Sequence, residues 1–427
     1  MPFLTEEDPN AKIRGARDPL GVVPIWSLLG RRLVLNLTTA TTSIRGFTIV
    51  LLARYLTEIL VENGRLPREE ALAAFLRTEQ MGAYARHHAH GVDGDIRGIE
   101  RVKSHIAEGR SRVPIGTDTK AFILSDQKVY GLWGLYSVSA RTSGLIADGP
   151  VGLTPLARDF IDEQYRPRFE PGLKGLLDLV ERGGTLRLHG NDSTFSALAA
   201  VLPDQLAQAE RTFYCRTLRD ALETKSEHPG RQQSFAALLR SETDLDAPFG
   251  RAEAVHLAEA AAGVDPGLAK ALEHVFHTEA LLAPAAAVFD LILMRAGQHP
   301  RDVAGELRDR WGASVPNLDP TRLEELRPSL RQATRGETLM EMERCHAALR
   351  SGDYEAGIEA LLAWNTRVTE DRKSAPWARL GQGGRIDVRY RGADQLLPDG
   401  DALGELWHNP YFIGSLKRIA HQIEASA

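Results

Sequence analysis

Apolar residues recur at helical spacing through most of this chain, and this periodicity constrains the fold more than any other feature. Between Ile25 and Leu37 the apolar side chains fall four positions apart, as they do along one face of a helix. A Thr/Ser cluster before Ile44 and the pair Asn63-Gly64 supply start and stop signals for a further helix. One stretch near the carboxyl end alternates polar and apolar residues around a glycine-rich turn, which predicts a β-hairpin. The sequence therefore predicts a mainly α, multi-domain helical protein with a short C-terminal β-hairpin.

The charge balance limits the partners that the chain can attract. With 52 basic and 57 acidic residues the formal net charge is -5, so any contact with DNA must come from a local basic patch.

The apolar run Phe47–Val61 is interrupted by Arg54 and Glu58 and is shorter than the roughly 20 residues that span a bilayer. We therefore expect no membrane partner.

Cysteine usage and the amino terminus both favour a cytoplasmic protein. The chain has only two cysteines, Cys215 and Cys345, which argues against a disulfide framework or a cysteine-ligated zinc site. The first residues are charged and lack the apolar core of a signal peptide. A reducing cytoplasm is the expected location.

The stretch Leu124–Tyr165 has the element order of a winged helix. An apolar segment, with Leu132, Trp133, Leu135 and Tyr136 as its predicted core, precedes the candidate recognition helix 139–143. A small turn then leads to Leu153-Thr154-Pro155, where the Thr-Pro pair predicts the capped start of another helix. This ending resembles that of many winged-helix domains, a fold that binds DNA in some proteins and packs against protein in others.

The winged-helix resemblance and the basic segment before it supply the candidate DNA-binding residues. Side chains of a recognition helix reach phosphates or base edges, and nearby cations attract the phosphate backbone. The candidates are Arg97, Arg101, Lys103, Arg110, Arg112, Ser139, Arg141, Thr142 and Ser143. The alternative is a winged helix that only packs against neighbouring domains. A further basic group on the predicted hairpin, Arg385, Arg389 and Arg391, either binds phosphate or is simply solvated.

Breaks in the helical pattern divide the chain into four segments. A Gly/Asp-rich stretch ends the first, and Pro167 and Pro171, which disfavour helix, close the second near residue 170. The predicted domains are 1–96, an N-terminal helical region; 97–170, a winged-helix-like domain; 171–320, a helical middle domain; and 321–427, a helical hairpin, the β-hairpin and a C-terminal helix.

Two residue groups have the chemistry of a metal-dependent enzyme. The first contains imidazoles and carboxylates that ligate zinc or manganese, although adjacent histidines on a helix point about 100° apart. The second has the acids and lysine of a restriction-type nuclease, although their spacing is helical and that chemistry needs adjacent strands. The groups are His87, His88, His90, Asp93 and Asp95, and Asp204, Glu223 and Lys225. No phosphate-loop or dinucleotide motif occurs in the sequence, so we expect no cofactor.

Several short motifs resemble recurrent features of accessory proteins from bacterial phage-defence or DNA-modification operons. The motifs are Asp18-Pro19-Leu20-Gly21, Pro24-Ile25-Trp26, Gly30-Arg31-Arg32, Tyr130–Tyr136, Pro376-Trp377 and Tyr411-Phe412-Ile413. The resemblance implies a subunit that works beside separately encoded ATPases or nucleases. It carries no catalytic motif, so the sequence favours a non-catalytic protein and assigns no residue to catalysis or to metal binding.

The sequence-based hypothesis is therefore a non-catalytic subunit of a bacterial anti-phage defence complex. Its expected partners are other protein subunits of a multi-gene system, with double-stranded DNA as a further candidate. The alternatives are a metal-dependent nuclease built on one of the two residue groups above and a winged-helix transcriptional regulator.

Overall fold

The computed structural model describes residues 18–109, 111–315, 318–390 and 397–425. The α-helices are α1 (Val23–Gly30), α2 (Ile44–Glu62), α3 (Ala71–His90), α4 (Ile99–Gly109), α5 (Gln127–Tyr130), α6 (Leu132–Thr142), α7 (Pro155–Phe160), α8 (Arg166–Phe169), α9 (Leu173–Arg182), α10 (Ser193–Val201), α11 (Gln208–Tyr214), α12 (Arg231–Glu242), α13 (Arg251–Ala262), α14 (Pro266–Leu293), α15 (Pro300–Trp311), α16 (Pro320–Ala333), α17 (Gly336–Ser351), α18 (Tyr354–Asp371) and α19 (Ile413–Glu424). The strands are β1 (Arg112–Ile115), β2 (Gly184–Arg187), β3 (Ala378–Leu380) and β4 (Ile386–Val388).

The fold is mainly α, as predicted, and the described residues form two small antiparallel sheets. Strand β1 pairs with β2, and β3 pairs with β4. The second pair confirms the C-terminal hairpin. Its turn contains Gly383 and Gly384 with φ of +71° and +70°, a backbone region that glycine enters without steric cost.

The boundaries of α2 follow the predicted capping signals, whereas the helical pattern predicted up to Leu37 ends at Gly30. The Ser43 hydroxyl caps α2 by accepting a hydrogen bond from the N–H of Gly46, and α2 ends at Asn63-Gly64. Helix α3 ends at Gly91, which adopts a left-handed conformation with φ +65°. Local sequence therefore sets these boundaries.

The prediction that Pro167 and Pro171 end a helical segment is wrong. Helix α7 continues through a π-helical turn, Ile161–Tyr165, into α8, and a 3₁₀ turn, Glu170–Gly172, leads into α9. Each proline occupies the first turn of its segment, where the backbone N–H needs no partner within the helix. Near these prolines the chain changes from one helix type to another, but it remains helical.

The predicted helical hairpin is present, but the first of its two predicted helices is divided. Thr334 and Arg335 adopt extended conformations and separate α16 from α17. Helices α17 and α18 then pack together around the turn at Gly352. A Cβ atom at Gly352 would lie 1.7 Å from the carbonyl oxygen of Ala313, so this turn requires glycine.

The chain forms two compact units, and each is discontinuous in sequence. Unit 1 contains the chain up to Leu33 together with Pro248–Tyr411, and unit 2 contains Val34–Ala247 together with Phe412–Ala427. The predicted segment 321–427 thus contributes its β-hairpin to unit 1 and α19 to unit 2. Whether the four predicted segments are independent domains stays a prediction.

Unit 1 is built around α14, a helix of 28 residues. By length and composition this helix is apolar enough to cross a membrane, yet 72% of its most apolar window is buried inside the structure. Apolar side chains of α14, α15, α17 and α18 share one core cluster. The burial of α14 is that of a core helix and is compatible with a soluble protein.

Unit 2 contains a buried ion pair within its helical core. The Arg45 guanidinium on α2 lies 2.5 Å from the Glu210 carboxylate on α11, and both side chains are almost fully shielded from solvent. The Tyr165 hydroxyl donates a second hydrogen bond to Glu210 at 2.7 Å. A buried charge requires such partners, because an unpaired one is strongly destabilising.

Candidate nucleic-acid interface

The predicted winged-helix stretch keeps only part of its expected features, because the apolar segment 132–136 and the candidate recognition helix 139–143 form one helix, α6, with Ser143 as its C-cap. After α5 and α6 the chain turns, and one isolated antiparallel bridge between Ile146 and Leu153 closes the turn. Thr154 caps α7: its hydroxyl accepts a hydrogen bond from the N–H of Ala157 at 3.3 Å and donates one to the carbonyl of Gly144 at 2.7 Å. The Thr-Pro cap is confirmed, whereas the winged-helix interpretation of the whole stretch stays a prediction.

Two of the four candidate residues on the predicted recognition helix are buried. Ser139 and Ser143 lie on the inward face of α6, and both have zero exposed fraction. The Ser143 hydroxyl accepts a hydrogen bond from the Asn36 side-chain amide at 3.0 Å. These serines are therefore not accessible to a nucleic acid in this structure, because the face they occupy packs inside unit 2.

The other two residues of that group are accessible but carry little net charge. Arg141 is exposed, and its Nε lies 3.2 Å from the carboxylate of Asp148 in the following turn. Thr142 donates its hydroxyl hydrogen to the carbonyl of Val138 at 3.0 Å. Helix α6 thus presents a locally neutralised surface.

The basic segment before β1 is more exposed and less neutralised. Arg97 and Arg101 are both exposed and donate to backbone carbonyls, those of Ala40 at 3.2 Å and Phe122 at 3.3 Å. A carbonyl group does not neutralise a guanidinium, so both charges remain available to an anion. Arg110 lies outside the described residues.

Lys103 differs from these arginines because an acid faces it. Its Nζ lies 2.6 Å from the Asp93 carboxylate, which also contacts Nδ1 of His87 at 2.7 Å. The hydrogen bond from Lys103 holds the pKa of Asp93 below its usual value. Lys103 therefore adds little uncompensated charge to the segment.

The ribbon of β1 and β2 places two arginines directly opposite each other. Arg112 pairs with Arg187 in the antiparallel register, and Val113 pairs with Leu186. Val113 and Leu186 are buried while both arginines are exposed, so the ribbon has one apolar and one basic face.

The spacing between the two arginine side chains follows from the hydrogen-bond pattern. The N–H of Leu188 donates to the carbonyl of Ser111 at 2.8 Å, which makes the neighbouring Arg112–Arg187 pair a non-hydrogen-bonded one. In such a pair the Cα atoms are only about 4.5 Å apart and the side chains are at their closest. Within the described residues neither arginine forms an ion pair.

Sequence reasoning identified Arg112 but missed Arg187. The only local signal for Arg187 is the alternation in Thr185-Leu186-Arg187-Leu188, which is typical of a half-buried strand. Strands distant in sequence give no indication of their pairing register, so the juxtaposition with Arg112 was not predictable. Helix α4, which carries Arg101, also packs against β1.

The histidine and aspartate group does not assemble as one set of metal ligands. His87 contacts Asp93, His88 packs its ring edge-on against Phe195, and His90 Nε2 lies 2.9 Å from the carbonyl of Ala199. The described residues contain no group of three or more His, Cys, Asp or Glu side chains placed to hold a metal ion.

The second enzyme-like group is also dispersed. Asp204 lies in the loop after α10 and contacts the buried Arg86 at 3.3 Å. Glu223 follows a π-helical turn and contacts Arg216 at 2.6 Å, while Lys225 is exposed. None of the three residues lies on a strand. This nuclease chemistry needs its acids on adjacent strands, whereas Asp204 and Glu223 lie outside the strands.

One buried carboxylate in unit 2 has a strongly perturbed ionisation. Burial raises the pKa of Glu79 to about 7, although the N–H of Leu132 and the Gln127 side-chain amide both donate hydrogen bonds to it. Gly131 permits this contact, because a Cβ there would lie 2.7 Å from a Glu79 oxygen. The carboxylate thereby ties α3 to the start of α6.

Comparison of the chain with protein-family models, with curated proteins and with solved structures found no match. Function must therefore be argued from the residues themselves.

Proposed function

We propose that the protein is a non-catalytic binding subunit of a bacterial defence complex, which contacts the phosphate backbone of double-stranded DNA through unit 2. The residues that make the contact are Arg97, Arg101, Arg112 and Arg187. The observation that carries this proposal is the exposed Arg112–Arg187 pair. The defence context rests on the sequence resemblance alone.

The arginine pair is an arrangement that an anion would stabilise. Like charges directly opposite each other in a sheet are destabilising, and no described acid compensates Arg112 or Arg187. A phosphate between the two side chains accepts hydrogen bonds from both guanidinium groups, whose planar geometry suits phosphate oxygens. Binding would therefore replace a repulsion with two attractive contacts.

The geometry favours the backbone over the bases as the target. The predicted base-reading segment on α6 has its serines buried and Arg141 paired with Asp148. Arg101 on α4, which packs against β1, and Arg97 in the turn before α4 add positive charge that attracts the phosphate backbone. We therefore expect binding that is independent of DNA sequence and sensitive to salt.

The test measures the affinity of the full chain for short labelled duplexes of unrelated sequence, by fluorescence anisotropy at several salt concentrations. The variant pair Arg112→Gln and Arg187→Gln keeps a polar side chain at each position and removes both charges. Each neutralised phosphate contributes about 0.9 to the slope of log affinity against log salt, so the double variant, which removes both cations from one shared phosphate, should reduce the slope by about 0.9. The control is Arg301→Gln, which removes an exposed arginine of unit 1.

An unchanged salt slope in the double variant would rule out the ribbon as the DNA contact. Binding to one duplex sequence only, lost on Arg141→Ala, would favour the transcriptional regulator. Metal-dependent cleavage that disappears in Asp204→Asn would favour the nuclease.

A second observation supports the protein-partner part of the proposal. Val129, Tyr130 and Val138 on α5 and α6 are large apolar residues with exposed fractions of 48%, 60% and 57%. Gly134 lets the two helices approach closely, since a Cβ there would lie 2.2 Å from the carbonyl oxygen of Val129. Large exposed apolar side chains on two successive helices are a candidate contact site for another protein.

The partner expected at this surface is an apolar face of a separately encoded subunit of the same system. Co-expression of the tagged chain with each neighbouring gene product tests it. Val138→Lys should reduce recovery of the partner, and the matched control Val264→Lys, at a position 83% exposed in unit 1, should not. Equal recovery with both variants would remove α5 and α6 as the contact surface.

A further inference from the structure

Among the described residues, a cavity in unit 1 combines apolar walls with one carboxylate. It lies between α14 and the segment 397–408 and has a volume of about 220 Å³. Its apolar lining includes Ala287, Leu291, Met294, Leu397, Leu406 and Trp407. An engineered apolar cavity of about 150 Å³ accepts benzene, so this one has room for an aromatic ring with a short chain.

The carboxylate is that of Asp290, which is half-buried on α14. Among the described residues no hydrogen-bond donor or basic group forms a contact with it, and burial raises its pKa. The imidazole of His408, at the cavity rim, acts in the opposite direction on that pKa. A carboxylate removed from water without a donor is destabilising, and a bound cation would relieve that cost.

The indole ring of Trp407 also lines this cavity, and contacts with neighbouring aromatic rings fix its position. Trp407 packs edge-on against Phe249 with 5.3 Å between ring centroids, and its ring also contacts that of Tyr411 at 5.5 Å. The segment that carries Trp407 is fastened to α14, because the buried Glu279 carboxylate accepts hydrogen bonds from the N–H of Asn409 at 2.9 Å and from the Tyr411 hydroxyl at 2.8 Å. The cavity wall is therefore built by buried polar contacts.

We propose that this cavity binds a small organic cation, an alkyl- or arylammonium compound, with its ammonium group at Asp290 and its apolar body against Trp407 and α14. An ammonium group donates hydrogen bonds to a carboxylate and is attracted to the face of an indole. The apolar side chains of α14 remove the hydrocarbon part of the ligand from water. This inference is independent of the proposed DNA contact in unit 2.

The test is isothermal titration of the full chain with phenethylammonium chloride and, in parallel, with the neutral analogue 2-phenylethanol. The amine should bind at least about tenfold more tightly than the alcohol, a difference of about 1.4 kcal/mol. Asp290→Asn keeps the shape of the side chain and should weaken amine binding at least about tenfold, leaving the alcohol unaffected. The control Asp309→Asn removes an exposed carboxylate of α15 and should change neither affinity.

A second variant keeps the test decisive if Asp290→Asn alters the fold. Ala287→Phe fills the cavity from α14 and should abolish binding of both compounds, while Asp290 keeps its charge. Equal affinity for amine and alcohol would overturn the proposal. Absence of saturable amine binding, or an unchanged amine affinity in Asp290→Asn, would overturn it equally.

Discussion

The ion pair between Arg45 and Glu210 should be the most sensitive electrostatic contact in unit 2. Replacing Glu210 with glutamine changes one atom and removes the negative charge. The side-chain exposed fractions of the two residues are 2% and 0%, so the remaining guanidinium charge has almost no access to water. Breaking a buried pair in this way costs about 3–5 kcal/mol, because one charge stays buried without compensation.

The surrounding hydrogen bonds support the upper part of that range. The Glu210 carboxylate accepts hydrogen bonds from Arg45 at 2.5 Å, from the Tyr165 hydroxyl at 2.7 Å and from the N–H of Ala207 at 2.7 Å. A glutamine side chain offers only one acceptor oxygen to these three donors, and its NH₂ group faces at least one of them. Each buried donor that is left unsatisfied adds about 1–3 kcal/mol.

The assay is urea unfolding of the full chain, followed by circular dichroism. Arg45→Met and the double variant Arg45→Met/Glu210→Gln complete a double-mutant cycle with Glu210→Gln. We expect the double variant to be less destabilised than the sum of its single changes, with a coupling of about 1–3 kcal/mol. Additive effects, or a loss below about 1 kcal/mol for Glu210→Gln, would refute the reasoning.

The same pair predicts a pH dependence with a definite sign. Burial favours the neutral form of Glu210, but the hydrogen bond and charge of Arg45 outweigh it, so the pKa of Glu210 is lowered in the folded state. A carboxyl group of lowered pKa contributes stability above its unfolded pKa and loses it as the pH falls through the folded value. The wild-type chain should therefore lose stability in acid more steeply than Glu210→Gln.

Three further outcomes follow from other contacts. Burial raises the pKa of Glu79 to about 7 in the folded chain. The stability that Glu79 contributes is therefore lost as the pH rises from its pKa in the unfolded chain to about 7. In Glu79→Gln the urea midpoint should depend less on pH across that range. Burial also raises the pKa of the Cys345 thiol to about 12. In the native chain a thiol reagent should therefore label the half-buried Cys215. It should label Cys345 only when unit 1 unfolds. Finally, Arg112→Gln should raise the free energy of unfolding, measured in urea without DNA, by about 0.2–1 kcal/mol, since it removes the repulsion from Arg187. A lower free energy of unfolding would contradict the register-based argument.

The parts of the fold that were predicted correctly depend on residues close together in sequence. The Ser43 cap of α2, the Thr154 cap of α7 and the glycine turn of the C-terminal hairpin each involve hydrogen bonds or backbone preferences within a few positions. The wrong prediction at Pro167 also comes from local sequence. A proline in the first turn of a new helical segment cannot be distinguished by sequence from a proline that ends a helix.

The candidate site was predicted only in part, because accessibility depends on packing. Arg97 and Arg101 are exposed as expected of contact residues, whereas Ser139 and Ser143 turn inward on α6. The helical period places Ser139 and Ser143 on one face, but which face packs inward depends on elements elsewhere in the chain. One of those elements carries Asn36, whose amide binds Ser143.

By itself the sequence determined the helical class, several capped helix ends and the hairpin, since these follow from propensities and contacts that span one or two turns. Only the tertiary structure decided which charges meet. It placed Arg187 opposite Arg112, and it placed Asp290 and Trp407 on the lining of one cavity. Strand register and cavity shape arise from packing between segments that are distant in the chain, and no short-range pattern encodes that packing.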